Sequence, residues 1–128
     1  LRVGPYADRD DEVLPKWREG LALVAKCPNV YVKLGGIGQP RTGYDWFARE
    51  KPIGSEELAE LMAPYMNYAI EQFGPERGMF ESNFPPDKVG HSYNVLYNAF
   101  KILSEDYSTT ERAAMFQGTA EQVYRVDY

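Results

Sequence analysis

Leu14, Trp17, Leu21 and Val24 recur at three- and four-residue intervals, so the pattern predicts a helix with one apolar face over Val13–Lys26. Pro28 and Asn29 end it. The next apolar run, Val30-Tyr31-Val32-Lys33-Leu34, is rich in β-branched and aromatic side chains and closes on Gly35-Gly36, which predicts a short buried strand. Ile37 to Gly54 mixes Gly, Pro, Arg, Tyr, Trp and Phe without a period and is expected to be a long loop. Ser55-Glu56-Glu57 supplies an N-cap and an acidic first turn for the apolar series Leu58, Leu61, Met62, Tyr65, Met66, Ala69, Ile70 and Phe73. Pro64 predicts a kink in that helix or two abutting helices, and Gly74-Pro75 stops it. Met79-Phe80-Glu81 is a second short strand, followed by the turn-prone Ser82-Asn83-Phe84-Pro85-Pro86-Asp87. Two helices are expected to finish the chain, near His91–Leu103 and Thr110–Arg125, the second announced by Ser108-Thr109-Thr110-Glu111.

Strands separated by helical crossovers imply parallel βα units. Two strands do not close an eight-stranded barrel, which takes about 250 residues. The 128 residues suffice for one domain with a sizeable core, and no repeat divides them.

Composition narrows the function. Nineteen acidic against fourteen basic residues leave a net charge of −5, which gives phosphate backbones and anionic lipids no electrostatic reason to bind. Nucleic acid and membrane are therefore not expected partners. No window approaches about 18 apolar residues, and the first residues lack the pattern of a secretion signal. The single cysteine, Cys27, at the end of an apolar helical stretch, is expected to be buried and unreactive, in keeping with a reducing, cytoplasmic setting. A chain that opens at Leu1 without Met is expected to be a truncated or processed product.

Val30–Gly38 and Phe73–Pro85 together resemble the amidohydrolase-related family (amidohydrolase 2) of barrel hydrolases, in its group of lactonases and 2-pyrone-4,6-dicarboxylate hydrolase-like proteins. The second stretch is the telling one. It resembles the family's final barrel strand, where an apolar pair leads into Gly-Ser-Asp-Trp-Pro or the variant Ser-Asn-Phe-Pro. Gly4-Pro5, a Trp-containing helix, Asn29-Val30-x-Val32-Lys33-Leu34 and a closing Gly118-Thr119-Ala120-x-x-Val123-Tyr124-Arg125 fall in the expected order, so the likeness spans nearly the whole chain.

The resemblance implies an α/β fold, the C-terminal part of a (β/α)₈ TIM barrel, roughly its last two βα units with long helices, in one partial domain over 1–128. It implies a hydrolase acting on a lactone, ester or amide bond of a small carboxylated molecule, with water as nucleophile. The family's metal-binding histidines lie on earlier strands, and this chain has no His-x-His and only His91. A divalent metal such as zinc would then belong to a full-length parent, with no metal ligand assigned among these residues.

Working residues of such barrels sit at the C-terminal ends of strands. The family places an Asp after the final strand, where a carboxylate can bind metal or take a proton from water. Here Asn83 stands there. Its amide can orient water or substrate, or cap the turn before Pro85, but it cannot be a general base. Asp87 is the carboxylate of that loop able to substitute. Lys33 meets either an anionic substrate group or a structural ion-pair partner, and Ser82 lies at the mouth beside Asn83. Arg41 and Tyr44, with Trp46, Phe47 and Arg49, form either a substrate-contacting lid or a plug over the barrel mouth. His91, alone near a helix start, is expected to be solvated or capping. Tyr65, Tyr68, Tyr93, Tyr97 and Tyr124 fall at helical spacings and predict helix-to-sheet packing rather than a cofactor box. Two other readings remain open: a non-catalytic partial barrel that self-associates or forms a homo-oligomer through an exposed strand edge, and a decarboxylase on the same scaffold.

Overall fold

The computed structural model describes residues 3–126. Helix α1 spans Asp10–Ala25, and its first turn carries Asp10, Asp11 and Glu12 against the positive end of the helix dipole. Those carboxylates explain why it starts three residues before the expected Val13. Strand β1 (Val32–Leu34) is shorter than the apolar run that announced it. Helix α2 (Ser55–Phe73) crosses over to strand β2 (Gly78–Phe80), and the strands pair in parallel with Val32 opposite Gly78, Lys33 opposite Met79 and Leu34 opposite Phe80. Among the described residues each strand has this one neighbour.

Several local expectations are corrected. Ser55 is the first helical residue of α2 rather than its cap, and Gly54 in extended conformation takes the cap position without a side-chain bond. Pro64 does not divide α2, which is one element. The missing amide hydrogen bond falls on an exposed turn where water can serve the orphaned carbonyl. Gly74 does end the helix, at φ 80°. The long loop contains two 3₁₀ turns, Pro40–Thr42 and Trp46–Ala48. Helix α3 runs Tyr93–Leu103, capped by the Ser92 hydroxyl, which accepts from the Val95 amide at 3.2 Å. The last predicted helix is three pieces: α4 (Thr109–Ala113), a π-helical stretch Ala114–Gly118, and α5 (Thr119–Tyr124). Its start is a capping box between Ser108 and Glu111, as the sequence signalled.

The core lies on one face of the strand pair. Leu34, Leu58, Met62, Ile70, Leu96, Phe100 and Met115 are its most deeply buried apolar side chains. Phe80 stacks on Phe100 at 4.5 Å between ring centres and touches Phe116 at 4.8 Å. Trp17 of α1 meets Tyr65 and Tyr68 of α2, which makes these tyrosines helix-to-helix packing groups. Side chains alternate across a strand. With Leu34 and Phe80 in the core, Lys33 and the residue after the second strand, Glu81, therefore share the opposite face.

Arg77, between α2 and β2, holds the frame at the strands' N-terminal ends. Its guanidinium donates to the Phe73 carbonyl at 2.9 Å, to Cys27 at 2.9 Å, to Val30 at 3.3 Å and to Ala25 at 2.9 Å. Cys27 itself is exposed, contrary to expectation, because it sits past the end of α1, where the chain turns outward.

Candidate functional site

The C-terminal ends of the two strands meet closely. The Glu81 amide donates to the Leu34 carbonyl at 3.1 Å, extending the ladder one residue beyond β2. A Cβ on Gly35 would lie 2.2 Å from the Glu81 carbonyl oxygen, so only glycine lets the chains come this close. Gly36 turns away at φ 76°. The space above it is bordered by Glu81 Oε1 and Asn83 Nδ2, which lie 3.5 and 3.8 Å from where its Cβ would be. Gly35 thus serves close packing of the strand ends, and beside Gly36 there is a small hollow with room for about one carbon atom.

Asn83 stands at φ 49°, a left-handed conformation that Asn tolerates better than most residues. Its Nδ2 donates to Asp87 Oδ1 at 2.7 Å, and its backbone carbonyl accepts from the Asp87 amide at 3.2 Å. Asp87 is 1% exposed, and its Oδ2 accepts from the Gly38 amide at 3.1 Å. Both oxygens of the one carboxylate in the loop are therefore engaged, one by the loop that follows β1 and one by the loop that follows β2. Asp87 thus holds the amide nitrogen of Asn83, and that nitrogen is also the Asn83 polar atom bordering the space at Gly36. The Ser82 hydroxyl accepts from the Phe84 amide at 3.3 Å, and the Phe84–Pro85 peptide that follows is cis.

His91 is buried, not solvated, and it lies against Trp46 and Phe84. A Cβ on Gly38 would be 2.4 Å from its Nε2, and its Nδ1 has no hydrogen-bond partner among the described residues. Burial pushes the imidazole below the ordinary histidine range, and the neighbouring Asp87 offsets this only in part. With Gly90 against the Gly38 carbonyl, these contacts lock the long loop onto the loop that leaves β2. Tyr44 stacks on the buried Trp46 at 4.4 Å, which ties that part of the loop into the body of the fold. Arg41, in the turn Pro40–Thr42, is exposed, and Arg49 is paired with Glu57 at 2.6 Å.

Lys33 has an ion-pair partner, one of the two roles weighed for it. Its Nζ lies 2.7 Å from Glu81 Oε2, with the lysine side chain 51% and the glutamate 25% exposed. That contact holds the Lys33 ammonium above the ordinary lysine value. The sequence reading passed over Glu81. Its signal was available, because it replaces the glycine of the Gly-Ser-Asp-Trp-Pro pattern with a carboxylate. On the other side of Glu81, Tyr97 is pushed up to about 12 by burial and by its contact with Tyr93.

The residues present do not by themselves fit a metal. Among the described residues no three His, Cys, Asp or Glu side chains converge as a metal site, and Asp87 spends its oxygens on Gly38 and Asn83. Nor is any described helix long and apolar enough to cross a membrane.

Comparison with known proteins places this geometry in a family. The amidohydrolase family model matches residues 4–126, and the chain belongs to that family. Over 110 residues it is 37% identical to y4mH, an uncharacterized protein of Sinorhizobium fredii, covering 86% of this chain and 33% of that one. Over 118 residues it is 32% identical to the L-fucono-1,5-lactonase of Burkholderia multivorans, covering 91% of this chain and 38% of the lactonase. Crystal structures of an amidohydrolase from B. multivorans, one with HEPES bound and one with zinc, superpose with TM-scores of 0.77 and 0.78 at 32% and 29% identity. Each superposition covers 94% of this chain and 40% of the neighbour. The chain thus spans between a third and two-fifths of the length of these relatives.

Proposed function

We propose that the protein containing this chain is a hydrolase that opens a lactone, ester or amide bond of a small carboxylated molecule, and that residues 1–128 supply the last two βα units of its (β/α)₈ barrel. The observation that carries this reading is the meeting of two parallel strand ends, where Glu81 and Asn83 border the space beside Gly36 and Lys33 pairs with Glu81. Such barrels place their chemistry at this end of the strands. The likeness to a sugar lactonase points to lactones first.

In this reading Asn83 donates through Nδ2 to the scissile carbonyl or to water, and Asp87 fixes that amide from behind. Lys33, half exposed, and Arg41, at the rim, meet the substrate's carboxylate, while Tyr44 and Ser82 complete the wall. The open strand edges and the exposed Leu23 and Val24 of α1 are the surfaces along which the remaining barrel, or a second copy, packs.

The test is a panel of sugar and dicarboxylated lactones, simple esters and amides offered to the full-length protein, followed by proton release and by product mass. Gain of one water on a lactone, led by L-fucono-1,5-lactone, is the expected result. Loss of carbon dioxide instead would replace hydrolysis with decarboxylation. Lys33→Met is expected to raise KM about tenfold, as for one charge-assisted contact. An unchanged KM would leave Lys33 only its ion pair.

A further inference from the structure

The strand-end motif lacks a carboxylate at 83 but carries one two residues earlier. Glu81 Oε1 and Asn83 Nδ2 both border the hollow beside Gly36, at 3.5 and 3.8 Å from where its Cβ would be. The two carboxylates of this region are not equivalent. Asp87 is enclosed and holds two donors. Glu81 is partly open, and Lys33 engages its Oε2, so that Oε1 is the oxygen turned toward the hollow. Gly35 allows this placement, since any Cβ there would also meet the Glu81 Cγ at 2.7 Å.

We propose that Glu81 is the proton-accepting catalytic carboxylate of this site, with Asn83 Nδ2, the amide atom that borders the same space, donating its second hydrogen to the substrate carbonyl. The assignment rests on the hydrolase reading above. A water in the hollow donates a hydrogen to Glu81 Oε1, and the lactone carbonyl oxygen accepts from Asn83 Nδ2. Its oxygen bonds to the acyl carbon, its proton passes to Glu81, and the carbonyl electron pair moves onto the carbonyl oxygen. When the tetrahedral carbon collapses, the bond to the ring oxygen breaks. That oxygen takes the proton from Glu81, which leaves a hydroxy acid and restores the carboxylate. One water is consumed, and no oxidant or reductant is needed.

The test uses the full-length enzyme and its best lactone. Glu81→Gln is expected to lower kcat by at least about a hundredfold with KM changed no more than a few-fold. Lys33→Met, which breaks the same ion pair but keeps the carboxylate, is expected to act on KM and to leave kcat within about tenfold. In Glu81→Asp, which keeps a carboxylate on a side chain one methylene shorter, kcat is expected to stay about tenfold above Glu81→Gln. Circular dichroism and a thermal melt check that each variant is folded. A Glu81→Gln kcat within fivefold of wild type would overturn the proposal. So would a kcat loss in Lys33→Met equal to that in Glu81→Gln, because the pair would then be structural. A wild-type enzyme inert on every lactone, ester and amide would overturn the hydrolase reading itself, and this assignment with it.

Discussion

Asp87 and Glu81 flank the same strand end, and their surroundings are opposite. Asp87 is enclosed, with one oxygen on the Gly38 amide and the other on the Asn83 amide. Glu81 is 25% exposed, shares one oxygen with a half-exposed lysine, and turns the other toward a hollow. A carboxylate with both oxygens hydrogen-bonded and almost no access to solvent holds a shape. One with an accessible oxygen can exchange a proton with a bound molecule. The family's usual pattern unites position and reactivity in one Asp at the strand exit, and this chain divides them. The amide at 83 keeps the place, Asp87 anchors the amide, and Glu81 offers the charge.

The division can be broken most forcefully at Asp87. Asp87→Ala strands the Gly38 and Asn83 donors and opens a cavity, so full-length stability is expected to fall by about 3 kcal/mol in urea denaturation. Asp87→Asn retains the volume but turns an amide donor toward another donor or toward the Gly38 amide, for a loss of about 1–2 kcal/mol. Its kcat decides whether Asp87 has a chemical role as well, since an unchanged kcat confines it to the scaffold. Next comes Gly38→Ala, whose Cβ would sit 2.4 Å from His91 Nε2 and 3.2 Å from the Asp87 Cβ. Overpacking of that kind is expected to cost about 2 kcal/mol.

A smaller effect follows from His91. Its folded pKa lies below the ordinary value because it is buried. The unfolded chain therefore takes up the proton first as pH falls. Stability is expected to be full above the unfolded histidine value of about 6.5, to decline below it, and to level off once the depressed folded value is passed. His91→Phe should flatten the slope between pH 8 and pH 5, and an unaltered slope would show that other groups set it. The smallest change in stability is expected for Glu81→Gln, within about 1 kcal/mol, because its partner is half in solvent. A large loss of stability there would place Glu81 beside Asp87 as a structural group and erase the contrast.

What the sequence made legible is what depends on neighbours along the chain. The apolar series Leu58, Met62, Met66 and Ile70 foretold α2, and Ser108 with Glu111 foretold the capping box. The parallel pairing followed from helical crossovers between two apolar strands. What depends on distant partners was not legible. His91 is buried because Gly38 and Trp46 close over it from the far loop, and nothing near residue 91 says so. The same contacts order a segment that lacks any period of its own. The π-helical stretch Ala114–Gly118 leaves no mark in a pattern that continues at near-helical spacing. At the candidate site, Asn83 draws attention by its place in the strand-exit motif and Asp87 as the carboxylate of the loop that follows. Their mutual hydrogen bond, and the turn of Glu81 toward Gly36, required the backbone to be seen.

Arg77 has a consequence for how the molecule comes apart. One planar cation gathers carbonyls from the tails of α1 and α2 and from the segment that enters β1, stretches about fifty positions apart in the chain. A lysine offers a single point of charge and cannot bridge so wide a fan of acceptors. Arg77→Lys should therefore loosen both helix tails in one event, so that amides near Ala25 and near Phe73 gain the same hydrogen-exchange rate. The rivet lies at the opposite end of the strands from the hollow, and so the frame can be unfastened there without touching a residue that faces substrate.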